Sequence, residues 1–143
     1  MGPGAGVPAG IPETVTLVGM RIVSRSAGRV TILAFTGEWD SFNLPEVSQR
    51  VDAVLRAGAR HVVFNVKDLK FVTSSPLGYM IQVHQRLKAD AGGLVLSEPS
   101  PFLRSTIRTL GLHRFFQVCD SDRDAVAALE RGSVGSICGP EVG

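Results

Sequence analysis

Between His61 and Gly78 the chain reads HVVFNVKDLKFVTSSPLG, in which a strand, a hydroxyl-bearing junction and the start of a helix follow one another. His61 to Val66 is a short, nearly continuous apolar run rich in β-branched residues, the pattern of a strand covered on both faces of a parallel sheet. The chain then crosses Asp68-Leu69 and Phe71-Val72 and presents Thr73, Ser74 and Ser75. Leu77, Met80, Ile81, His84 and Leu87 follow at the spacing of one helical face, which ends at Gly92-Gly93. Ser75 fits the N-cap of that helix and Pro76 fits N1, where a missing N–H has no intrahelical partner to lose.

Upstream, Val15 to Ser24 reads as one strand and Arg29 to Phe35 as a second, with Ser26-Ala27-Gly28 as the turn between them. Leu44, Val47, Val51, Val54 and Leu55 predict a helix that closes at Gly58, opened by Asn43 as N-cap with Glu46 three residues on as its capping-box partner. Downstream, Gly93 to Leu96 predicts another buried strand. Phe102, Leu103, Ile107 and Leu110 mark a helix opened by Ser100-Pro101 and stopped at Gly111. Phe115 to Val118 gives a last strand and Asp120 to Glu130 a last helix, with Ser121 and Asp124 in an approximate capping box. Each of the four helices is followed by Gly near C′, where a left-handed residue ends a helix without Cβ strain. Helices and strands that alternate imply right-handed crossovers. The expected class is therefore α/β, a mostly parallel sheet of about five strands with about four helices.

The 143 residues suit one domain, and 15 Lys and Arg against 13 Asp and Glu leave a formal charge of +2. Residues 1–14 form a Gly- and Pro-rich leader expected to be flexible, 15–131 the folded unit, and 132–143 a second flexible tail. A charge of +2 without a clustered basic face argues against nucleic acid. Two cysteines, Cys119 and Cys138, are too few for a disulfide-stapled scaffold, and Cys119 reads as a small buried hydrophobe in a reducing interior. No stretch reaches the roughly 18 uninterrupted apolar residues of a membrane span, and the start lacks the basic and apolar regions of a signal peptide. The expected location is the cytoplasm.

Enzyme signatures are thin. His61, His84 and His113 fall on a strand, a helix and a loop, with no HxxxH or CxxC spacing to gather metal ligands. GxGxxG, P-loop and GxSxG patterns are absent, so no cofactor, metal or catalytic residue is expected. What stands out is the run Thr73-Ser74-Ser75. A phosphate there, carrying about −1.5 to −2 charges, would favour the positive end of a helix dipole and repel an acidic partner. A plain capping role for Ser75 explains the same residues.

The series GEWD at Gly37 to Asp40, HVVFNVKDLKFVTSSPLG from His61, and GGLVLSEPSPFLRSTIRTLGLHRFFQV from Gly92 to Val118 resembles the STAS domain of bacterial anti-sigma factor antagonists. The resemblance covers nearly the whole folded unit. It implies the STAS fold and a partner-switching protein that is a substrate and binding module, not an enzyme. The implied partner is an anti-sigma factor that is also a serine kinase of the GHKL type. In its unphosphorylated form the antagonist binds the kinase and frees a sigma factor; phosphorylation weakens that complex, and a phosphatase restores it. The implied phosphoacceptor is Ser75, with Glu38, Asp40, Thr73, Ser74 and Leu77 as partner-binding neighbours.

Two departures from the family pattern bear on this. Thr73 stands where the family usually has Asp, which removes a carboxylate beside the acceptor hydroxyl. Pro76 stands where it usually has Gly, which deletes one N–H from the anion site that a helix start offers. Ser74 and Thr73 remain alternative acceptors, and a non-phosphorylated scaffold or a subunit of a stressosome-like or transport complex remains the alternative function. Arg104 and Arg108 share one helical face; this reads either as a solvated basic face or as a contact for an acidic partner.

Overall fold

A computed structural model of the chain describes residues 10–131. The elements run β1 (Thr14–Leu17), β2 (Met20–Ala27), β3 (Val30–Trp39), α1 (Leu44–Arg56), β4 (His61–Val72), α2 (Ser74–Ala89), β5 (Gly93–Ser97), α3 (Pro101–Thr109), a 3-10 turn at Leu112–Arg114, β6 (Gln117–Cys119) and α4 (Asp122–Glu130). The strands form one sheet in sequence order, antiparallel from β1 to β3 and parallel from β3 to β6. The α/β class and mostly parallel sheet are as expected, with six strands rather than about five.

The extra strand comes from the segment expected as a single strand over Val15 to Ser24. It folds back on itself at Val18-Gly19, where Gly19 takes φ +73°, so that β1 and β2 form a hairpin. Residue alternation then sorts side chains to two faces. Phe35, Trp39, Phe64, Val66, Leu94 and Leu96 face a core closed by α1, α2 and α3. Ile32, Val63 and Val95 point the other way and meet Ala125 and Leu129 of α4. Ile11 packs against the larger core and Glu13 accepts the Ser24 N–H at 2.7 Å, so the leader's last residues are held on the fold; residues 1–9 and 132–143, and the Gly132 expected at the end of α4, lie outside the described residues.

β4 is twice as long as its apolar run. Beyond Asn65 it pairs with β3 alone, and two register shifts in that pairing move its buried positions to Val66, Leu69 and Val72. At the far end of α2 the left-handed position falls on Ala91, φ +64°, rather than on glycine. Gly92 is required for a different reason: a Cβ there would lie 1.9 Å from the carbonyl oxygen of Arg60. Cys119 is buried but disulfide-bonded, which corrects its reading as a simple buried hydrophobe.

Candidate functional site

The extension of β4 sets where α2 begins. Thr73 is extended, its N–H donates to the Trp39 carbonyl at 3.0 Å, and its own carbonyl accepts the first, long helical bond from Leu77 at 3.4 Å. Thr73 is therefore the N-cap, Ser74 is N1, Ser75 is N2 and Pro76 is N3, which corrects the expectation of Ser75 as cap and Pro76 as N1. Pro76 still removes a donor that has no intrahelical partner. The Thr73 side chain makes no capping bond. Thr73, Ser74 and Ser75 are all exposed, and their hydroxyls make no hydrogen bond to another described residue. Below them Pro76, Leu77 and Met80 are buried and seat the helix. Tyr79 donates to Asp52 Oδ1 at 2.6 Å and so ties α2 to α1; its burial, that hydrogen bond and the Asp52 charge push the phenol well above its ordinary value.

The other expected partner contacts divide. Glu38 is exposed at the end of β3, paired across the sheet with Phe71, and so lies at the same end of the sheet as the three hydroxyls. Gly37 fixes its backbone: its φ is +124°, a Cβ there would lie 2.2 Å from the Gly19 carbonyl oxygen, and that oxygen accepts the Glu38 N–H at 2.9 Å. Asp40 is half-buried and occupied locally, its Oδ1 accepting the N–H groups of Phe42 (2.9 Å) and Asn43 (3.1 Å). Leu77, only 3% exposed, belongs to the core.

Asn43 does not form the expected capping box. It begins α1, but its side chain makes no cap bond. Its Nδ2 instead donates to the carbonyls of Glu38 (2.7 Å) and Val18 (3.2 Å), and its Oδ1 accepts from Asp40 N at 3.1 Å, so one buried amide ties the β1–β2 turn to the end of β3. Three apolar side chains at or near this end of the sheet are exposed: Phe42 at 94%, Val18 at 78% and Phe71, paired across the sheet with Glu38, at 37%. None of the three is picked out by motif reading. For Phe42 a signal exists, because it falls off the apolar spacing of α1.

Elsewhere, His84 is buried and its Nδ1 accepts the Leu94 N–H at 3.2 Å; burial holds its pKa below the ordinary value. Arg104 pairs with Asp120 at 2.6 Å, so one of the two arginines on that helical face is already engaged. No group of three or more His, Cys, Asp or Glu among the described residues is placed to hold a metal ion, and no described helix is long and apolar enough to cross a membrane.

The STAS domain family model matches residues 21–125. The chain belongs to the STAS domain family. An anti-sigma F factor antagonist of Paenibacillus polymyxa is 26% identical to this STAS chain over 102 residues, covering 71% of it and 87% of that protein. The crystal structure of an anti-sigma factor antagonist from Mycobacterium paratuberculosis aligns with a TM-score of 0.66 at 20% identity, over 78% of this chain and 94% of its own. The Bacillus cell fate determinant SpoIIAA in its phosphorylated form aligns with a TM-score of 0.58 at 22% identity, over 74% and 96%. The STAS fold expected from the sequence is thus the fold of this chain.

Proposed function

We propose that this STAS domain is an anti-sigma factor antagonist, binding an anti-sigma factor that is a GHKL-type serine kinase and released from it by phosphorylation of Ser75. The observation that carries this reading is the start of α2, where three exposed hydroxyls are unused by the fold beside an exposed acidic residue, Glu38. The relatives named for the same role, and a structural relative described in a phosphorylated form, support it.

At N2 the Cα–Cβ bond of Ser75 tilts back toward the helix start, which presents the hydroxyl outward. In the transfer the Ser75 oxygen bonds to the γ-phosphorus of ATP, the bond from that phosphorus to the bridging oxygen of ADP breaks, and the hydroxyl proton leaves to a base. Thr73 supplies no carboxylate, so the base comes from the kinase. The product phosphate, about −1.5 to −2 in charge, faces the partnerless N–H groups of the first turn and the positive helix end. It also fills the space where the kinase held its nucleotide phosphate and must be desolvated for the complex to persist, so binding weakens. A phosphatase reverses the step. The chain acts as substrate and binding module in the cytoplasm rather than as an enzyme, with no nucleic acid among its partners.

Incubation with a GHKL-type kinase from the same genome and ATP, followed by peptide mass spectrometry, is expected to place one phosphate on Ser75 and none on Ser75→Ala; no phosphate on Thr73, Ser74 or Ser75 would overturn the switch. In binding, Ser75→Ala should match wild type and Ser75→Glu should be at least tenfold weaker. Pro76, which leaves the first turn one donor short, favours a second reading, a non-phosphorylated scaffold, for which both variants bind as wild type does.

A further inference from the structure

We propose that Phe42, on the turn that the Asn43 amide ties to the Val18 and Glu38 carbonyls, anchors this domain in an apolar pocket rimmed by Lys and Arg on its partner protein, an inference that rests on the partner-binding reading above. Phe42 stands at N′ of α1 with Val47 at N4, the spacing of a hydrophobic staple. It makes no such staple: 94% of the residue is exposed. Its backbone is nonetheless fixed, through its own N–H to Asp40 Oδ1 and through the Asn43 amide that also holds Val18 and Glu38.

A phenyl ring on a pinned turn has two side-chain torsions to lose on docking, so its burial is offset by little ordering entropy. An exposed aromatic held on a fixed backbone is the kind of side chain that carries much of the affinity at an interface. The charge around it selects the occupant. Residues 38–46 hold Glu38, Asp40 and Glu46 and no Lys or Arg, and Lys70 is the base adjoining Phe71. An acid excess repels phosphate-bearing surfaces and attracts a rim of Lys and Arg.

The experiment measures binding of the full chain to the immobilised kinase used in the phosphorylation test, with thermal midpoints alongside. Phe42→Ser should weaken the Kd about 30-fold, or about 2 kcal/mol at 1.4 kcal/mol per tenfold, with an unchanged midpoint, while Phe42→Leu stays within about threefold. Glu38→Gln with Glu46→Gln should slow association several-fold at about 50 mM salt and hardly at all at about 0.5 M. Wild-type affinity in Phe42→Ser, with Ser75→Glu still weakened, would overturn the anchor and leave the switch standing. Failure of the wild type to bind would overturn both. Self-association of the wild type lost in Phe42→Ser would assign the surface to a second copy and overturn the proposed partner.

Discussion

At the start of α3, Ser100 is the N-cap, its hydroxyl accepts the Leu103 N–H at 3.1 Å, and Pro101 follows at N1. At the start of α2 the same dipeptide, Ser75-Pro76, lies two positions deeper and its hydroxyl caps nothing. The start of α4 resembles α3: Ser121 accepts from Asp124 N at 3.1 Å. The carboxylate of Asp122 then accepts from Ser97 Oγ (2.5 Å), Asn65 Nδ2 (2.9 Å) and Arg25 (2.5 Å). Polar side chains at the starts of α3 and α4 are thus bonded within the fold, and Asp122 ties α4 to the sheet, whereas the hydroxyls at the start of α2 make no such bond. That freedom is what a modifiable surface needs.

Asp122→Ala tests the occupied side most strongly. It removes the acceptor of three hydrogen bonds and should cost about 2 kcal/mol, read as a fall in the urea midpoint. Burial raises the Asp122 pKa, but the hydrogen bonds from Ser97, Asn65 and Arg25, with the Arg25 charge, outweigh it and hold the group below its ordinary 3.8. A carboxylate depressed in the folded state contributes stability above its unfolded value and loses it as pH falls through the folded one. The gap between variant and wild type should therefore be full above pH 3.8 and close below it; a gap independent of pH would show that the cluster acts by packing alone.

Ser100→Ala comes next in size. Losing a working N-cap costs about 1 kcal/mol, so a midpoint unchanged within error would remove the distinction drawn between the starts of α3 and α2.

The sequence carries the alternation of helices and parallel strands because each apolar spacing answers to one buried face, as Val47, Val51 and Val54 do on α1. It carries less where two solutions share a pattern. β1 and β2 both alternate, so the tight turn at Val18-Gly19 is invisible within Val15 to Ser24. Lys67, Asp68 and Lys70 hide the extension of β4, because the register shifts against β3 break the period of two. That hidden extension is also why Ser75 reads as a cap: the helix start is set by the backbone bond from Thr73 to Trp39, a contact between segments far apart in sequence. The hydroxyl run itself is legible, and the structure brings Glu38 to its end of the sheet. Leu77 shows the limit of spacing, which does not tell a core position from one beside the loop, and the structure buries it.

The smallest expected effect is the most discriminating. Ser75→Ala should change stability by less than about 0.5 kcal/mol, the range for an exposed surface substitution, against about 1 kcal/mol for Ser100→Ala. Phosphate on Ser75 should stabilise the fold by about 0.3–1 kcal/mol at low salt through the helix dipole, and less as salt rises. Thermal melts of the phosphorylated and unmodified chain would show this. A phosphorylated domain that melts higher yet binds its partner more weakly separates obstruction of the interface from damage to the fold, because only the first leaves the domain intact. Phosphorylated protein that melts several degrees lower would mean that the start of α2 supports the fold no less than the starts of α3 and α4 do.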